Sequence, residues 1–187
     1  MKKLIMFAVC VSLSLAAMAQ GTLNFANGAP GVNAPIRDGS LPGSPLADGA
    51  NYVAQLFTAP LGTTDTNLFT LVSTTAAGTP LGTGATAGFF FGGEKVVPTV
   101  AGGLPGAAFQ VRAFKLSTGA TYATATVRGQ SIIFPLQLAS PPAPAVPLTG
   151  LGQNGFTLLS TVVVPEPSTI ALGVLGAGAL LFRLRRK

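Results

Sequence analysis

The sequence predicts an all-β protein: one sandwich or jelly-roll-like domain over residues 20–160, with a short apolar segment at either end of the chain. Three observations carry that prediction. Nine β-prone runs recur between Gly, Pro, Asn and Asp punctuation, at the close spacing of sandwich folds. No convincing helix of ten residues interrupts them. Phe109-Gln110-Val111-Arg112-Ala113 alternates strictly, so Phe109, Val111 and Ala113 face a core while Gln110 and Arg112 face water.

In chain order the predicted strands are Thr22–Phe25, Tyr52–Thr58, Asn67–Val72, Gly88–Phe91, Lys95–Val100, Ala108–Leu116, Thr121–Val127, Ser131–Leu138 and Phe156–Val164. Each is rich in β-branched, aromatic or alternating apolar residues. Asp38-Gly39 and Asp48-Gly49 are turn dipeptides between them. Ser140–Pro147 is crowded with proline and reads as a surface loop. Phe89-Phe90-Phe91, flanked by Gly, reads as a buried strand, with an exposed aromatic platform as the lesser alternative.

Of 187 residues, 48% are hydrophobic and 9% charged, which excludes a disordered polyelectrolyte. The single Cys excludes a disulfide scaffold, and the 24 Gly have no collagen period. A chain segment of this size buries roughly two-thirds of its unfolded surface, enough for an independent core. The formal charge of +6 would suggest nucleic acid if it lay on one folded face, but it is mostly terminal. Residues 20–164 hold five basic and four acidic side chains, so no nucleic-acid partner is expected. Within them Arg112, Lys115 and Arg128 read as surface charges that give solubility.

Residues 1–19 have the three parts of a secretory signal peptide. Lys2 and Lys3 form a positive start, Leu4–Leu15 is apolar, and Ala17-Met18-Ala19 is the small-x-small pattern of signal peptidase. Cleavage between Ala19 and Gln20 would leave a mature chain without Cys. The other end, residues 161–187, orders three features: Pro165-Glu166-Pro167, an apolar helix over Thr169–Phe182, and a basic tail of Arg183, Arg185, Arg186 and Lys187. As a helix the apolar run reaches ~21 Å, short of the ~30 Å hydrocarbon core, but the Arg side chains snorkel and extend it. Four cations resist translocation and act as a stop-transfer tail, which leaves the Pro-Glu-Pro motif outside. Both prolines fix φ and push Glu166 toward extended backbone, the form that processing clefts accept.

With those three parts in that order, the C-terminal segment resembles a PEP-CTERM sorting domain. The resemblance implies recognition by an exosortase, an integral membrane enzyme with a presumed cysteine nucleophile, in bacteria that make extracellular polysaccharide. The same motif occurs at the C-terminus of some ice-binding proteins. The chain would be anchored in the membrane by its helix, then transferred to the cell surface or extracellular matrix.

For the central domain the expectation is a non-catalytic surface or matrix protein. Without His there is no Ser-His-Asp triad, and without mature Cys no thiolate nucleophile or metal site. Asp38, Asp48, Asp65 and Glu94 are the acids available for a glycosidase pair or a cation, and turn chemistry accounts for the aspartates, so no catalytic, metal or cofactor-binding residue is assigned. Gly82–Gly88 resembles a nucleotide loop in composition alone, because Phe89-Phe90-Phe91 follows where a helix is needed. The alternative is an exopolysaccharide-binding module, against which stand the absence of Trp and the presence of Tyr52 and Tyr122 alone as tyrosines. Ice binding ranks third: it needs a flat Thr array, and Thr124-Ala125-Thr126 supplies one pair.

Overall fold

The computed structural model describes residues 20–161 apart from Asn154. The predicted signal peptide with Ala17 and Ala19, the Pro165–Pro167 motif, the predicted helix over Thr169–Phe182 and the basic tail lie outside the described residues. Among the described residues no helix is long and apolar enough to cross a membrane.

Thirteen strands follow in order: β1 (Gln20–Ala26), β2 (Gly28–Ala29), β3 (Val32–Asn33), β4 (Ile36–Asp38), β5 (Tyr52–Ala59), β6 (Thr70–Leu71), β7 (Thr79–Pro80), β8 (Phe91–Ala101), β9 (Gly103–Lys115), β10 (Val127–Gln130), β11 (Phe134–Leu138), β12 (Val146–Pro147) and β13 (Phe156–Ser160). The all-β expectation holds. A three-stranded sheet runs β12-β1-β8, and a larger curled sheet runs β4-β13-β10-β9-β5-β6, with β11 also on β9 and β7 also on β5. Leu23, Phe25 and Val97 of the small sheet share one core with Leu56, Phe109, Val111, Val127 and Leu158 of the large one.

Strand β9 is the spine of the large sheet, paired with β5 from Tyr52↔Lys115 to Ala59↔Ala108. Its alternation places Phe109, Val111 and Ala113 in the main core as expected. The opposite face departs from expectation. Gln110 is 1% exposed, donating to the Ser131 carbonyl at 3.1 Å, and the Arg112 guanidinium lies 4.1 Å over the Phe57 ring. The reason is a second layer: Phe57, Phe69 and Ala108 form one small cluster on that side, and Val53, Phe114 and Ala125 another. Every residue of β5 is consequently buried.

Several expected strands change shape. Thr121–Val127 is mostly turn, with only Val127 in β10, because the Thr121 and Thr124 hydroxyls bond each other and nearby backbone instead of leaving the chain to a sheet. The Thr124-Ala125-Thr126 pair therefore lies off any strand. Asn67–Val72 splits into a 3-10 turn over Thr66–Leu68, capped by the Asp65 carboxylate, and the short β6. Gly88 sits at φ +80° against the Ile36 carbonyl, so Gly88–Phe90 turns and β8 starts at Phe91. Ser140–Pro147 is not all loop. Val146–Pro147 forms β12, parallel to Leu23 and Asn24, and proline is tolerated there because β12 is an edge strand.

Strand β13 fixes where the chain leaves the domain. It lies between β4, parallel (Leu158↔Asp38), and β10, antiparallel (Val127↔Ser160), and Thr161 N–H donates to the Thr126 carbonyl at 2.7 Å. The C-terminal strand is thus an interior member of the sheet.

Candidate functional site

At the end of the sheet where β13 finishes, one charged side chain is fully buried. Asp38, the last residue of β4, is 0% exposed. Its carboxylate accepts the Tyr52 hydroxyl at 2.6 Å, the Lys115 ammonium at 3.2 Å, and the Ser40 N–H at 2.9 Å together with the Ser40 hydroxyl. The β4–β13 pairing brings Asp38 to this end, and the Tyr52↔Lys115 pairing of β5 and β9 presents both partners from the neighbouring strands. Burial pushes the Asp38 carboxyl up, but the bonds from Ser40, Tyr52 and Lys115 outweigh it and hold the group below its ordinary value. Burial and the adjacent carboxylate raise the Tyr52 phenol. Contact with Tyr52 and then with Asp38 raises Lys115. The trio ties β4 to β5 and β9. The sequence pattern placed Asp38 at a turn, which the structure keeps, with Leu41 N–H donating to its carbonyl, but the carboxylate is buried and paired, and Lys115, expected at the surface, is half-buried against it.

The second charged cluster is equally committed. Tyr122 is ringed by Arg112 and Arg128, each guanidinium 5.3 Å from its centroid. Arg128 donates to the Tyr122 and Ala123 carbonyls at 2.8 and 2.7 Å, and Arg112 to Gln110 Oε1 and to the Thr66 carbonyl. Their donors hold the covering loops down.

The remaining acids are dispersed. Asp48 accepts the Gly84 N–H at 3.3 Å, Asp65 the Asn67 N–H at 2.9 Å, and Glu94 stands opposite Asn24 on β8. Among the described residues no three of His, Cys, Asp and Glu gather into a cation site.

Phe89-Phe90-Phe91 departs from the expected buried strand and in part follows the lesser alternative of an exposed platform. Phe90 alone is fully buried, with its ring 4.5 Å from Phe25, whereas Phe89 is half-buried and Phe91 is 57% exposed. The loop is set by Asn27, itself 0% exposed: its amide donates to the Ala34 and Gly88 carbonyls at 2.7 and 2.9 Å and accepts the Phe90 N–H at 2.6 Å. Phe89 and Phe91 then flank an open cleft of about 430 Å³ with Asn33 and Thr86 on its walls. Gly28 fits beneath them because a Cβ there would stand 3.0 Å from Phe89 and 3.2 Å from Phe91. The only sequence signal for this site was the triple Phe, whose alternation implies that neighbours face opposite ways.

Comparison with curated proteins and with solved structures finds no match to this chain. A family model does match, immediately beyond the end of β13: the PEP-CTERM protein-sorting motif, over residues 163–187. That segment holds Pro165, Glu166, Pro167 and the basic tail Arg183, Arg185, Arg186 and Lys187. The motif marks an exported protein addressed to an exosortase in the membrane, and this chain carries it over residues 163–187.

Proposed function

We propose that the chain is a non-catalytic surface or extracellular-matrix protein whose sandwich-like β-domain is cargo for the sorting tail. Signal peptidase removes residues 1–19, the helix over 169–182 holds the product in the membrane, and exosortase processes it at the Pro165–Pro167 motif. The observation that carries this reading is the family match over residues 163–187. The fold is consistent with it, since its last described strand ends at Ser160, upstream of the motif. Mass spectrometry of the native protein tests it: the expected N-terminus is Gln20 and the expected C-terminus falls near Pro165. An intact Lys187 on surface-located protein would leave a plain membrane anchor in place of a sorting signal.

The second reading is a saccharide-binding module, and the Phe89/Phe91 cleft is what favours it. Exposed aromatic faces beside neutral polar groups suit the C–H face of a sugar ring. Affinity electrophoresis in the host's exopolysaccharide separates the readings: retardation that disappears in Phe91→Ala supports the module. Phe90→Ala is unsuitable for this test, because emptying a buried aromatic site costs about 3–5 kcal/mol of stability.

A further inference from the structure

One end of the large sheet gathers everything that surrounds the chain's exit. β13 runs parallel to β4 and Gly39 N–H donates to the Leu158 carbonyl, so the Asp38–Leu41 turn stands at the end where β13 finishes; β10 begins opposite Ser160; and β9 finishes opposite the start of both β10 and β5. Leu116 N–H donates to the Asn51 carbonyl, and Thr161 N–H to that of Thr126, at this same end. Three leucines here are open to solvent: Leu41 at 43%, Leu116 at 41% and Leu159 at 59% exposure. A Cβ on Gly39 would lie 3.1 Å from the Leu159 side chain, which shows that Leu159 reaches toward the Gly39–Leu41 turn.

The length of chain outside the fold decides what meets this end. From Thr161 to Thr169 there are eight residues, which fully extended span at most ~28 Å. A globule of the 20–161 size has a radius of gyration of about 14 Å and hence a diameter near ~37 Å. The leash is shorter than the domain is wide, so the far end of the sheet cannot turn toward the bilayer. Resting on the sorting reading above, we propose that the exit face with Leu41, Leu116 and Leu159 lies on the outer surface of the lipid membrane while the tail is inserted. Leucines at the rim of a tethered domain gain by entering the headgroup boundary, as the apolar face of an interfacial helix does.

The opposite end supplies the control, because it is just as apolar. Leu61 is 52% and Leu68 63% exposed there, so hydrophobicity alone predicts no difference between the ends, whereas the leash does. Full-length chain carrying Cys10→Ser is expressed in a bacterial host that lacks a sorting enzyme and isolated in right-side-out membrane vesicles. Single cysteines at Leu41→Cys, Leu116→Cys, Leu159→Cys, Leu61→Cys, Leu68→Cys and Val174→Cys carry a fluorophore, and phospholipid with a nitroxide on its headgroup is the quencher. Quenching at positions 41, 116 and 159, with fluorescence retained at 61 and 68, is the expected result. Absent quenching at the exit face, or equal quenching at both ends, overturns the proposal when lipid with the nitroxide on its acyl chain still quenches position 174. If position 174 is not quenched, the tail is not inserted, and the sorting reading fails along with the proposal. Quenching that appears only after a sorting enzyme is co-expressed assigns the face to that enzyme and overturns its assignment to lipid.

Discussion

Two fully buried polar side chains hold the fold, and they do it by different physics. Asn27 ties the Phe89–Phe91 loop to β1 with three bonds from a neutral amide. Asp38 ties β4 to β5 and β9 with a charged carboxylate whose partners are a phenol, a serine and an ammonium. A neutral amide meets the bond requirements of nearby backbone, and its loss orphans those groups. A buried charge has to be offset by a partner, and its contribution therefore depends on protonation. The difference teaches that equal burial need not mean equal sensitivity to solution conditions.

The largest expected effect is at the neutral site. Asn27→Leu keeps the volume, leaves the Ala34 carbonyl and the Phe90 N–H without their partner, and removes one of the two bonds to the Gly88 carbonyl, which still accepts the Ile36 N–H. At about 1–3 kcal/mol for each of the two buried orphans, with the lost Gly88 bond added, the loss is about 3–5 kcal/mol, a large share of a typical domain's stability. Urea denaturation measures it. The loss should be the same at pH 5 and pH 9, because no group in this network titrates there; a strong pH dependence would break the contrast.

Asp38→Ala should cost less, about 2–3 kcal/mol. Lys115 keeps 20% side-chain exposure, so its ammonium can turn to water when the carboxylate is gone, below the ~3–5 kcal/mol seen when a stranded charge stays buried. A double-mutant cycle with Lys115→Met isolates the pair. If Asp38→Ala proves costlier than Asn27→Leu, the ranking of the two anchors is reversed.

The pH profile sharpens the comparison further. Asp38 is held below its ordinary 3.8 in the folded protein, so its contribution is complete above that value and is lost as pH falls through the lower folded value. Lys115 is raised above 10.5 and Tyr52 above 10.0, so their contributions are complete below those values and fade as pH climbs through the higher folded ones. Tm against pH should fall at both extremes in the parent protein. In Asp38→Asn the acid limb should flatten, while Asn27→Leu should keep its shape and shift downward.

How much of this was written in the sequence follows from the range of each interaction. The class of the fold was legible because β-propensity and alternation are local, and Tyr52–Ala59 and Phe109–Ala113 carry them plainly. The PEP-CTERM segment was legible because an enzyme reads it as a contiguous string. Asn27 and Asp38 were not, since their partners stand up to 63 and 77 residues away and nothing in Asn27-Gly28 or Asp38-Gly39 distinguishes a buried anchor from a turn. Strands of two or three residues such as β4, β7 and β12 were missed for the same reason: their pairing is imposed by the neighbouring strand. The water-facing side assigned to Gln110 and Arg112 failed because alternation marks two faces without saying what loops will cover the second.

A smaller effect separates stacked charge from paired charge. Arg112 touches no carboxylate; its guanidinium lies on Phe57 and reaches Gln110 and Thr66. Arg112→Lys keeps the charge and loses the planar fork, so a drop of about 1 kcal/mol is expected by urea denaturation, with little salt dependence. A loss that vanishes in high salt would place Arg112 with Asp38 as an electrostatic anchor.

The smallest expected effect lies just beyond the reach of the Asn27 anchor. Asn27 fixes the backbone at Phe90, so the aromatic rings on either side are presented by a rigid loop and need not contribute to its stability. Phe91 is 57% exposed, and Phe91→Ala should change stability by no more than about 0.5 kcal/mol, the usual range for a surface site away from packing or caps. Its neighbour Phe90 is buried against Phe25, so a difference of several kcal/mol between adjacent phenylalanines follows from burial alone. Thermal denaturation of Phe91→Ala decides the matter. A Tm near that of the parent leaves the exposed ring as surface that the fold does not require, whereas a marked fall would mean that Phe91 packs over Gly28 as a structural lid and that the cleft is part of the core's edge.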